Sequence, residues 1–559
     1  MNKNNLFEFI ERHSTPQFIY PLSMFVIFFI LYTQSFNFRL GDQFFYANDI
    51  ETGRAIKGAE QWHLFHRPLG WLIYKFFQVF GYTGRAVTIL QFESAFFGAI
   101  GVSAFFCLVY NLLKDTRVAL FSASMLAFSH SYWAYSGTGS AYIPSTFLMI
   151  FAFILLFKLQ EFSEHRQKLL FVLAIALISA LSALFWLPVV LCFPAIVIGI
   201  ILIPQHLNYS KRFTLTFIYS LGLLLFLIIP LLLVVIFINE CKSYGDLLIA
   251  LKSTSQGSPI QVSVLNFLRA LYGVANAFVA IPDMGSTVRG WITGGFNLVR
   301  HGESALGMTG TNLILQTGKF LAVWTACLLS VSYLIMRWKT VKKDLKIALL
   351  ILGVWILSFF CFGMVFDGAA LERMLPALPA AILVIAVTIS HINVSLQPLR
   401  LTKTIFIVIP VVLFTCNFSE FFVSERNIAN DKDWKIAKSL GQKTNPNDLV
   451  IVWGQDVGSV NKFLLYAHRN CIHLNLDIVL NGSTGWDERL NRAIKKCRDN
   501  GGRIFIHNRL ITEKDVPESR WSETEYPHPN RHELRAFFSQ YGKIFFCIIE
   551  DEVFWEIVK

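Results

Sequence analysis

The chain alternates between long apolar runs and short polar connections. A helix that crosses a bilayer needs roughly 20 mostly apolar residues, and about eleven runs approach this length. The predicted spans are Phe18–Phe36, Ala86–Leu113, Val118–Tyr135, Tyr142–Leu159, Leu169–Phe185, Leu187–Pro204, Phe213–Ile238, Phe320–Met336, Ile347–Val365, Pro376–Ser390 and Thr404–Phe418. The pattern therefore predicts a polytopic α-helical membrane protein.

Basic residues predict the orientation of these spans. Short cytoplasmic loops of membrane proteins carry an excess of Lys and Arg. If the N-terminus is cytoplasmic, every short loop with a clear basic cluster, such as Lys211/Arg212 and the run from Arg337 to Lys346, lies on that side. We therefore expect a multi-pass protein of the cell (inner) membrane, with loops 37–85 and 239–319 and the C-terminal tail outside.

The C-terminal tail, after the last predicted span, has a pattern of short strands and helices. Asp448–Gly454 and Arg503–Asn508 read as buried strands, and KIFFCIIEDEVFWEIV near the end reads as a strand pair. Between the first two strands, a helix is predicted with Ser483 or Thr484 as its cap and Gly501 just past its end. The predicted architecture is thus a transmembrane domain at 1–418, followed by a small extracytoplasmic α/β domain at 419–559.

Composition narrows the classes of function. The chain is 54% hydrophobic and only 15% charged, which excludes an ordinary soluble protein. Its net charge of +12 is explained by membrane-flanking loops, and no basic-aromatic stripe indicates a nucleic-acid partner. Nine cysteines form no C-x-x-C pair, so no zinc site is indicated, although one disulfide is open to Cys471, Cys497 and Cys547 in an extracytoplasmic tail.

The stretch GDQFFYANDI places two acids directly after the first span. Asp42 and Asp49 are seven residues apart with Tyr46 between them, so all three share one face if the stretch is helical. An acid held in a half-buried site at a membrane surface is a candidate general base. The alternative is that Asp42 caps a surface helix and Asp49 is a solvated acid.

Four further places carry candidate chemistry. His66 and Arg67 begin a predicted interfacial helix, where backbone amides attract anions. Glu372 and Arg373 stand at the outer mouth of a late span, either as a snorkelling pair or with Arg373 gripping a phosphate. Glu93 falls inside the second span and should face protein or water, as a cavity wall or a proton relay. The glycine-rich run 284–304 is either a mobile cover or a connector.

Several of these segments, taken in order, resemble GT-C-fold membrane glycosyltransferases such as protein O-mannosyltransferases and the aminoarabinose transferase. DQFFYA (Asp42–Ala47) resembles their D-E-x-x-Y-A motif with Gln43 in place of Glu, and His66-Arg67-Pro68 resembles their H-P-rich helix with an inserted Arg. The segment from Phe128 to Tyr142 and the sequence ERMLP at 372–376 resemble two further family segments.

The resemblance implies an inverting transfer of a sugar from a polyprenyl-phosphate donor, presented from the lipid bilayer, to a glycan, lipid or protein acceptor. Asp42, with Asp49, would be catalytic, and Tyr46, His66, Arg67, Tyr142, Glu372 and Arg373 would bind substrate. It leaves open whether a divalent metal takes part. Two rival classes stay open: a transporter or flippase of lipid-linked sugars, and a membrane scaffold whose outer domain binds a partner.

Overall fold

Helices form the membrane part of the fold. A computed structural model describes residues 16–37, 42–56, 63–162, 164–234, 264–281, 310–366, 368–396, 400–419, 431–453, 460–481, 484–512 and 531–558, with 236, 429 and 529. In chain order the helices are α1 (Pro16–Gln34), α2 (Asp42–Glu51), α3 (His66–Val79), α4 (Ala86–Leu113), α5 (Thr116–Phe128), α6 (His130–Ser136), α7 (Tyr142–Lys158), α8 (His165–Phe185), α9 (Phe193–Leu202), α10 (Tyr209–Leu233), α11 (Val264–Phe278), α12 (Gly310–Met336), α13 (Lys343–Val365), α14 (Leu371–Met374), α15 (Leu378–Leu396) and α16 (Arg400–Asn417).

The predicted spans agree with these helices. Seven described helices are long and apolar enough to cross a bilayer, and four shorter apolar helices coincide with the remaining predicted spans. Large apolar side chains, such as Leu224 on α10 and Leu329 on α12, are exposed on the outside of the bundle, as lipid contact requires. The predicted fold class, a polytopic helical membrane protein with a small α/β domain, is confirmed.

The third predicted span is wrong in its length. It ends at Phe128, because Ser129 adopts an extended backbone, and a separate short helix, α6, follows. A break at membrane depth leaves backbone groups that need partners. The Asn417 side-chain amide donates to the Phe128 carbonyl oxygen at 2.7 Å, and His130 Nδ1 lies 2.9 Å from the Asn276 carbonyl oxygen. Since these partners come from distant parts of the chain, the local sequence could not indicate the break.

The predicted outer loop 239–319 contains a helix that the sequence pattern did not indicate. This helix, α11, packs on α6, where Ser131 Oγ donates to the Ala277 carbonyl oxygen at 3.2 Å. It also approaches the turn before α14 so closely that a Cβ on Gly273 would lie 1.8 Å from the Gly368 carbonyl oxygen. The rest of this loop, including the glycine-rich run 284–304, lies outside the described residues.

The C-terminal part is an α/β domain built on one sheet. Its elements are α17 (Lys432–Lys443), β1 (Leu449–Val452), α18 (Val460–Tyr466), β2 (Asn470–His473), α19 (Leu474–Asn481), α20 (Trp486–Asp499), β3 (Ile504–His507), α21 (Arg531–Ser539), β4 (Gly542–Ile549) and β5 (Glu552–Val558). The strand order is β2-β1-β3-β5-β4, with β1 parallel to both neighbours and β5 antiparallel to both of its own.

The sequence prediction covered β1, α20, β3 and the final strand pair, whereas α17, α18, α19 and α21 were not predicted. β2 was not predicted either, because its sequence, NCIH, lacks the apolar run of β1 and β3. The cap of α20 is Gly485 in a left-handed conformation (φ 69°), so the assignment of Ser483 or Thr484 as the cap was wrong. The tail cysteines Cys471, Cys497 and Cys547 are free thiols, so no disulfide joins them.

The C-terminal α/β domain, which is predicted to be extracytoplasmic and is named the outer domain, shares a hydrophobic core with the predicted first outer loop. Phe44 on α2 stacks near Trp434 of α17 (ring centroids 6.1 Å apart) and meets Phe463 and Tyr466 of α18 edge-on, at 5.0 and 5.1 Å. The same buried cluster continues to Val450 in β1. This packing fixes the outer domain against α2. The division into domains at residues 418 and 419 stays a prediction, and this core crosses it.

Candidate functional site

Gln43 anchors the start of α2 against the membrane bundle. Its amide nitrogen donates to the Asn37 carbonyl oxygen at 3.2 Å, and its amide oxygen accepts from Gln91 Nε2 at 3.0 Å and from the Gly139 backbone at 3.4 Å. A carboxylate at this position could accept but could not donate. The residue that departs from the family pattern is therefore used here as both donor and acceptor.

The two aspartates of α2 have different surroundings. Asp42, at the first turn, keeps 41% of its side chain exposed, whereas Asp49 keeps only 5%. Asp49 Oδ2 lies 3.2 Å from Nη1 of Arg67 on α3, and the guanidinium of Arg67 is 1% exposed between the rings of Phe45 and Tyr46. Asp49 and Arg67 therefore form a buried ionic clamp that joins α2 to α3.

His66 and Glu93 form a second buried pair directly beside this clamp. Glu93 Oε1 lies 3.6 Å from His66 Nδ1, and both side chains are fully buried. His66 Nε2 lies 3.3 Å from the Gly139 carbonyl oxygen, which only accepts, so this nitrogen carries a hydrogen. A Cβ at Gly70 would lie 2.5 Å from Leu90 Cδ2, so the glycine lets α3 approach α4 closely enough for the pair to form. The expectation that Glu93 faces protein is confirmed.

A series of aromatic rings in contact runs from α2 to Tyr135 on α6. Tyr46 meets His66 and His63 edge-on, with ring centroids 5.2 and 6.0 Å apart. His63 meets Tyr142 at 5.5 Å, and Tyr142 meets Tyr135 at 4.9 Å. Because each ring touches the next, Tyr46 and Tyr142 belong to one continuous wall.

Glu372 and Arg373 stand at the end of this aromatic wall. The Tyr135 hydroxyl donates to Glu372 Oε2 at 2.8 Å, and Arg373 Nε lies 3.7 Å from Glu372 Oε1. Arg373 also donates through Nη1 to the Phe366 carbonyl oxygen at 2.7 Å and covers the Phe366 ring at 4.2 Å. A series of contacts from Tyr46 through His63, Tyr142 and Tyr135 therefore connects α2 with Glu372 and Arg373.

A cation from the outer domain completes the surroundings of Asp42. Lys462 Nζ on α18 lies 2.5 Å from Asp42 Oδ1. Lys462 could not be selected from the sequence, because it lies on a short helix of the C-terminal domain, 420 residues further along the chain. His63 was also missed, although its spacing of three residues from His66 places it beside the same site.

A second contact holds the other end of α2 to the outer domain. Arg85 pairs with Glu51, with Nη2 2.9 Å from Oε2, donates to the Tyr466 carbonyl oxygen at 2.7 Å and covers the Tyr466 ring at 3.7 Å. Burial alone would lower the pKa of Arg85, but the hydrogen bond with Glu51 raises it above its usual value. For the Tyr466 hydroxyl, in contrast, burial raises the pKa. Arg85 therefore stays charged and Tyr466 stays neutral across the physiological range.

A possible divalent metal stays a prediction. Within the part of the chain that the structure describes, no three His, Cys, Asp or Glu side chains come close enough together to hold one. Asp42 and Asp49 each face a cation.

Comparison with known proteins gives a result at the level of fold. No protein-family model and no curated protein matches this sequence. The structure is similar to ArnT from Cupriavidus metallidurans, solved in the apo state (TM-score 0.56) and bound to undecaprenyl phosphate (TM-score 0.55). Each alignment covers 96% of this chain and 97% of ArnT, at 11% sequence identity. The oligosaccharyltransferase of Archaeoglobus fulgidus, solved with zinc and sulfate, aligns over 91% of this chain and 68% of its own, with 12% identity and a TM-score of 0.47.

The likeness to ArnT spans the membrane part and the outer domain together, because it covers nearly the whole of both chains. It agrees with the apolar helices of this chain, which are those of a multi-pass membrane protein. This chain therefore has the GT-C fold, the fold of the aminoarabinose transferase ArnT.

Proposed function

We propose that this protein is a membrane glycosyltransferase that moves a sugar from a polyprenyl-phosphate donor to an extracytoplasmic acceptor. The observation that carries the proposal is the likeness to ArnT over 96% of the chain, since one ArnT structure holds undecaprenyl phosphate. The series of contacts that connects Tyr46, on the helix of Asp42, with Tyr142 and with Glu372 beside Arg373 supports it, because this chemistry uses both a base and a cation.

Asp42 is the proposed general base. It is the more exposed of the two acids on α2, so an acceptor hydroxyl can reach it. Asp49 is buried against Arg67 and cannot exchange protons with an acceptor without breaking the clamp. We therefore assign Asp49 to holding Arg67 and α2 in place, and the chemical step to Asp42. A well-placed base contributes roughly 10²–10⁴ in rate.

The proposed reaction balances with these groups. The acceptor hydroxyl attacks the anomeric carbon and its proton passes to Asp42, while the bond from that carbon to the phosphate oxygen breaks with inversion. The electron pair leaves with the phosphate, whose extra negative charge needs a cation rather than an acid. Arg373 is the proposed partner, because its side chain is 14% exposed at the end of the aromatic wall.

The remaining site residues form the wall of the sugar-binding site in this proposal. Tyr46 and Tyr142 are the proposed sugar-binding residues: Tyr142 is partly exposed, and the buried Tyr46 is connected to it through His63. His66 supports this wall through its ring contact with Tyr46 and its position beside Glu93. Arg67 adds positive charge behind this wall. We place the site on the extracytoplasmic side, with the N-terminus cytoplasmic, because the positive loops lie at the other ends of the spans.

The proposal is tested by release of free polyprenyl phosphate. The purified protein in liposomes is given polyprenyl-phosphate-linked sugars together with extracted cell-surface acceptors. The wild type should release the lipid phosphate, and Asp42→Asn should lower the rate by two orders of magnitude or more. Asp115→Asn is the control, since Asp115 only caps α5. Near-normal turnover by a folded Asp42→Asn protein would remove Asp42 from the role, and sugar movement across the liposome without release would indicate a flippase.

A further inference from the structure

Lys462 lies on a helix of the outer domain that other contacts hold in place. The helix α18 that carries it is fixed against α2 by Phe463 and Tyr466, which pack on Phe44. Arg85 holds the end of the same helix through the Tyr466 carbonyl oxygen. These contacts do not involve Lys462. The lysine is thus not needed to dock the domain, and another reason must explain why an ammonium is placed on Asp42.

The pair between Lys462 and Asp42 lies at an accessible edge. The lysine side chain is 25% exposed and the aspartate 41%, in contrast to the buried clamp of Asp49 and Arg67. A lysine bears its charge on a flexible four-carbon stem, so the ammonium can move several ångströms while α18 stays fixed. An exposed pair of this kind contributes little to stability.

The contact has a chemical consequence for the proposed base. A carboxylate held by an ammonium is a weaker proton acceptor than a free one, because the positive charge favours its ionised form. Asp42 can act fully only when Lys462 has another anion to bind. A lipid phosphate that enters beside Asp42 is such an anion.

We propose that Lys462 is a phosphate-binding residue that the outer domain contributes to the membrane site. In the ligand-free state its ammonium pairs with Asp42. When the donor binds, the ammonium pairs with the donor phosphate instead. Donor binding thereby removes the ammonium from the base and supplies a positive charge to balance the leaving phosphate. This inference rests on the proposed function, and it assigns the outer domain a direct part in the reaction.

The test measures binding of undecaprenyl phosphate to the full-length protein in detergent, without any sugar transfer. Lys462→Met should weaken binding about tenfold. Asp42→Asn should strengthen binding several-fold, because the phosphate no longer competes with the carboxylate for the lysine. The double variant Asp42→Asn/Lys462→Met should lose this gain. Arg85→Met is the control, because it removes a contact of α18 that does not involve Lys462. Thermal unfolding checks that each variant is folded.

The outcomes separate this inference from the proposed function. If the wild type binds undecaprenyl phosphate but neither Lys462→Met nor Asp42→Asn changes the affinity, Lys462 is a static pair and the inference is overturned while the donor proposal stands. If Arg85→Met weakens binding as much as Lys462→Met, domain docking is the cause and the inference also fails. If the wild type does not bind this lipid, the proposed donor class is itself wrong.

Discussion

The hydroxyl of Tyr135 donates a hydrogen bond to Oε2 of Glu372 at 2.8 Å, across 237 residues of sequence. Tyr135 lies on α6, which begins after the break at Ser129. Glu372 lies beside Arg373 on α14. The bond therefore connects the aromatic wall to the proposed phosphate partner. Without the break between α5 and α6, this hydroxyl would not be placed here.

Removal of this hydroxyl should affect donor use. Tyr135→Phe leaves Glu372 without one partner, so the pair with Arg373 loses its fixed position, and the KM for a polyprenyl-phosphate donor should rise several-fold. A hydrogen bond to a charged group contributes about 1.5–3 kcal/mol, so a modest loss of stability should accompany it. Tyr132→Phe is the matched control, because Tyr132 on the same helix donates instead to the Gly98 carbonyl oxygen at 2.9 Å. Equal donor KM values for the two variants would contradict the role of Tyr135.

The buried clamp should dominate the stability of the first outer loop. Asp49→Asn leaves the Arg67 guanidinium buried without its counter-charge, which should cost about 3–5 kcal/mol in the free energy of unfolding. Arg54→Ala should cost little, because Arg54 is 55% exposed although its Nη2 also lies 3.6 Å from Asp49. Thermal unfolding in detergent checks both.

A double variant separates the effect of charge from the effect of packing in the same clamp. Replacement of both partners, as Asp49→Leu/Arg67→Met, should recover much of the lost stability, since no charge is then left buried. A double variant as unstable as Asp49→Asn would show that the cost arises from packing rather than from charge.

Glu552 should make the outer domain sensitive to acid. Burial alone would raise its pKa, but hydrogen bonds from His507 and Lys432, with the charges of His507 and Arg509, lower it to about 2. Because the folded pKa is lower than the unfolded value near 4.5, Glu552 contributes its stability fully above pH 4.5. That contribution is lost as the pH falls from about 4.5 to about 2.

Glu552→Gln should remove this acid dependence. The variant should be less stable than the wild type at pH 7 by about 2 kcal/mol, and the difference should shrink as the pH approaches 2. Tryptophan fluorescence follows the unfolding of the domain, since Trp555 lies in β5 and Trp453 directly after β1. Glu550→Gln is the control, because that carboxylate is 39% exposed in its pair with Lys435. A constant difference between wild type and Glu552→Gln at all pH values would argue against the assignment.

The sequence was most informative where one local pattern decides the structure. Apolar run length predicted the spans, and short apolar runs together with helix end signals predicted β1, β3 and α20. The prediction failed where contacts with distant residues determine the structure, as at Ser129, where the break depends on Asn417 and Asn276. The helix α11 was missed in a stretch that was predicted as a loop.

The candidate site shows the same limit. Asp42, His66 and Arg373 could be selected because each is a polar residue at the end of an apolar run. That Asp49 would be clamped by Arg67, or that Asp42 would meet Lys462, required the packing of the outer domain on α2. Gln43 is instructive as well, since its role as both donor and acceptor is visible only once Asn37 and Gly139 are placed around it.

The most direct measurement of the central claim is mass spectrometry of the cell-surface glycans and glycolipids from cells that lack this protein and from cells that carry Asp42→Asn. If the protein transfers a sugar from a lipid phosphate outside the membrane, both should lose the same single sugar residue from a surface molecule, and the lipid-linked donor should accumulate on the outer leaflet. Unchanged surface glycans, or a donor that accumulates only on the cytoplasmic leaflet, would contradict a glycosyltransferase built around Asp42.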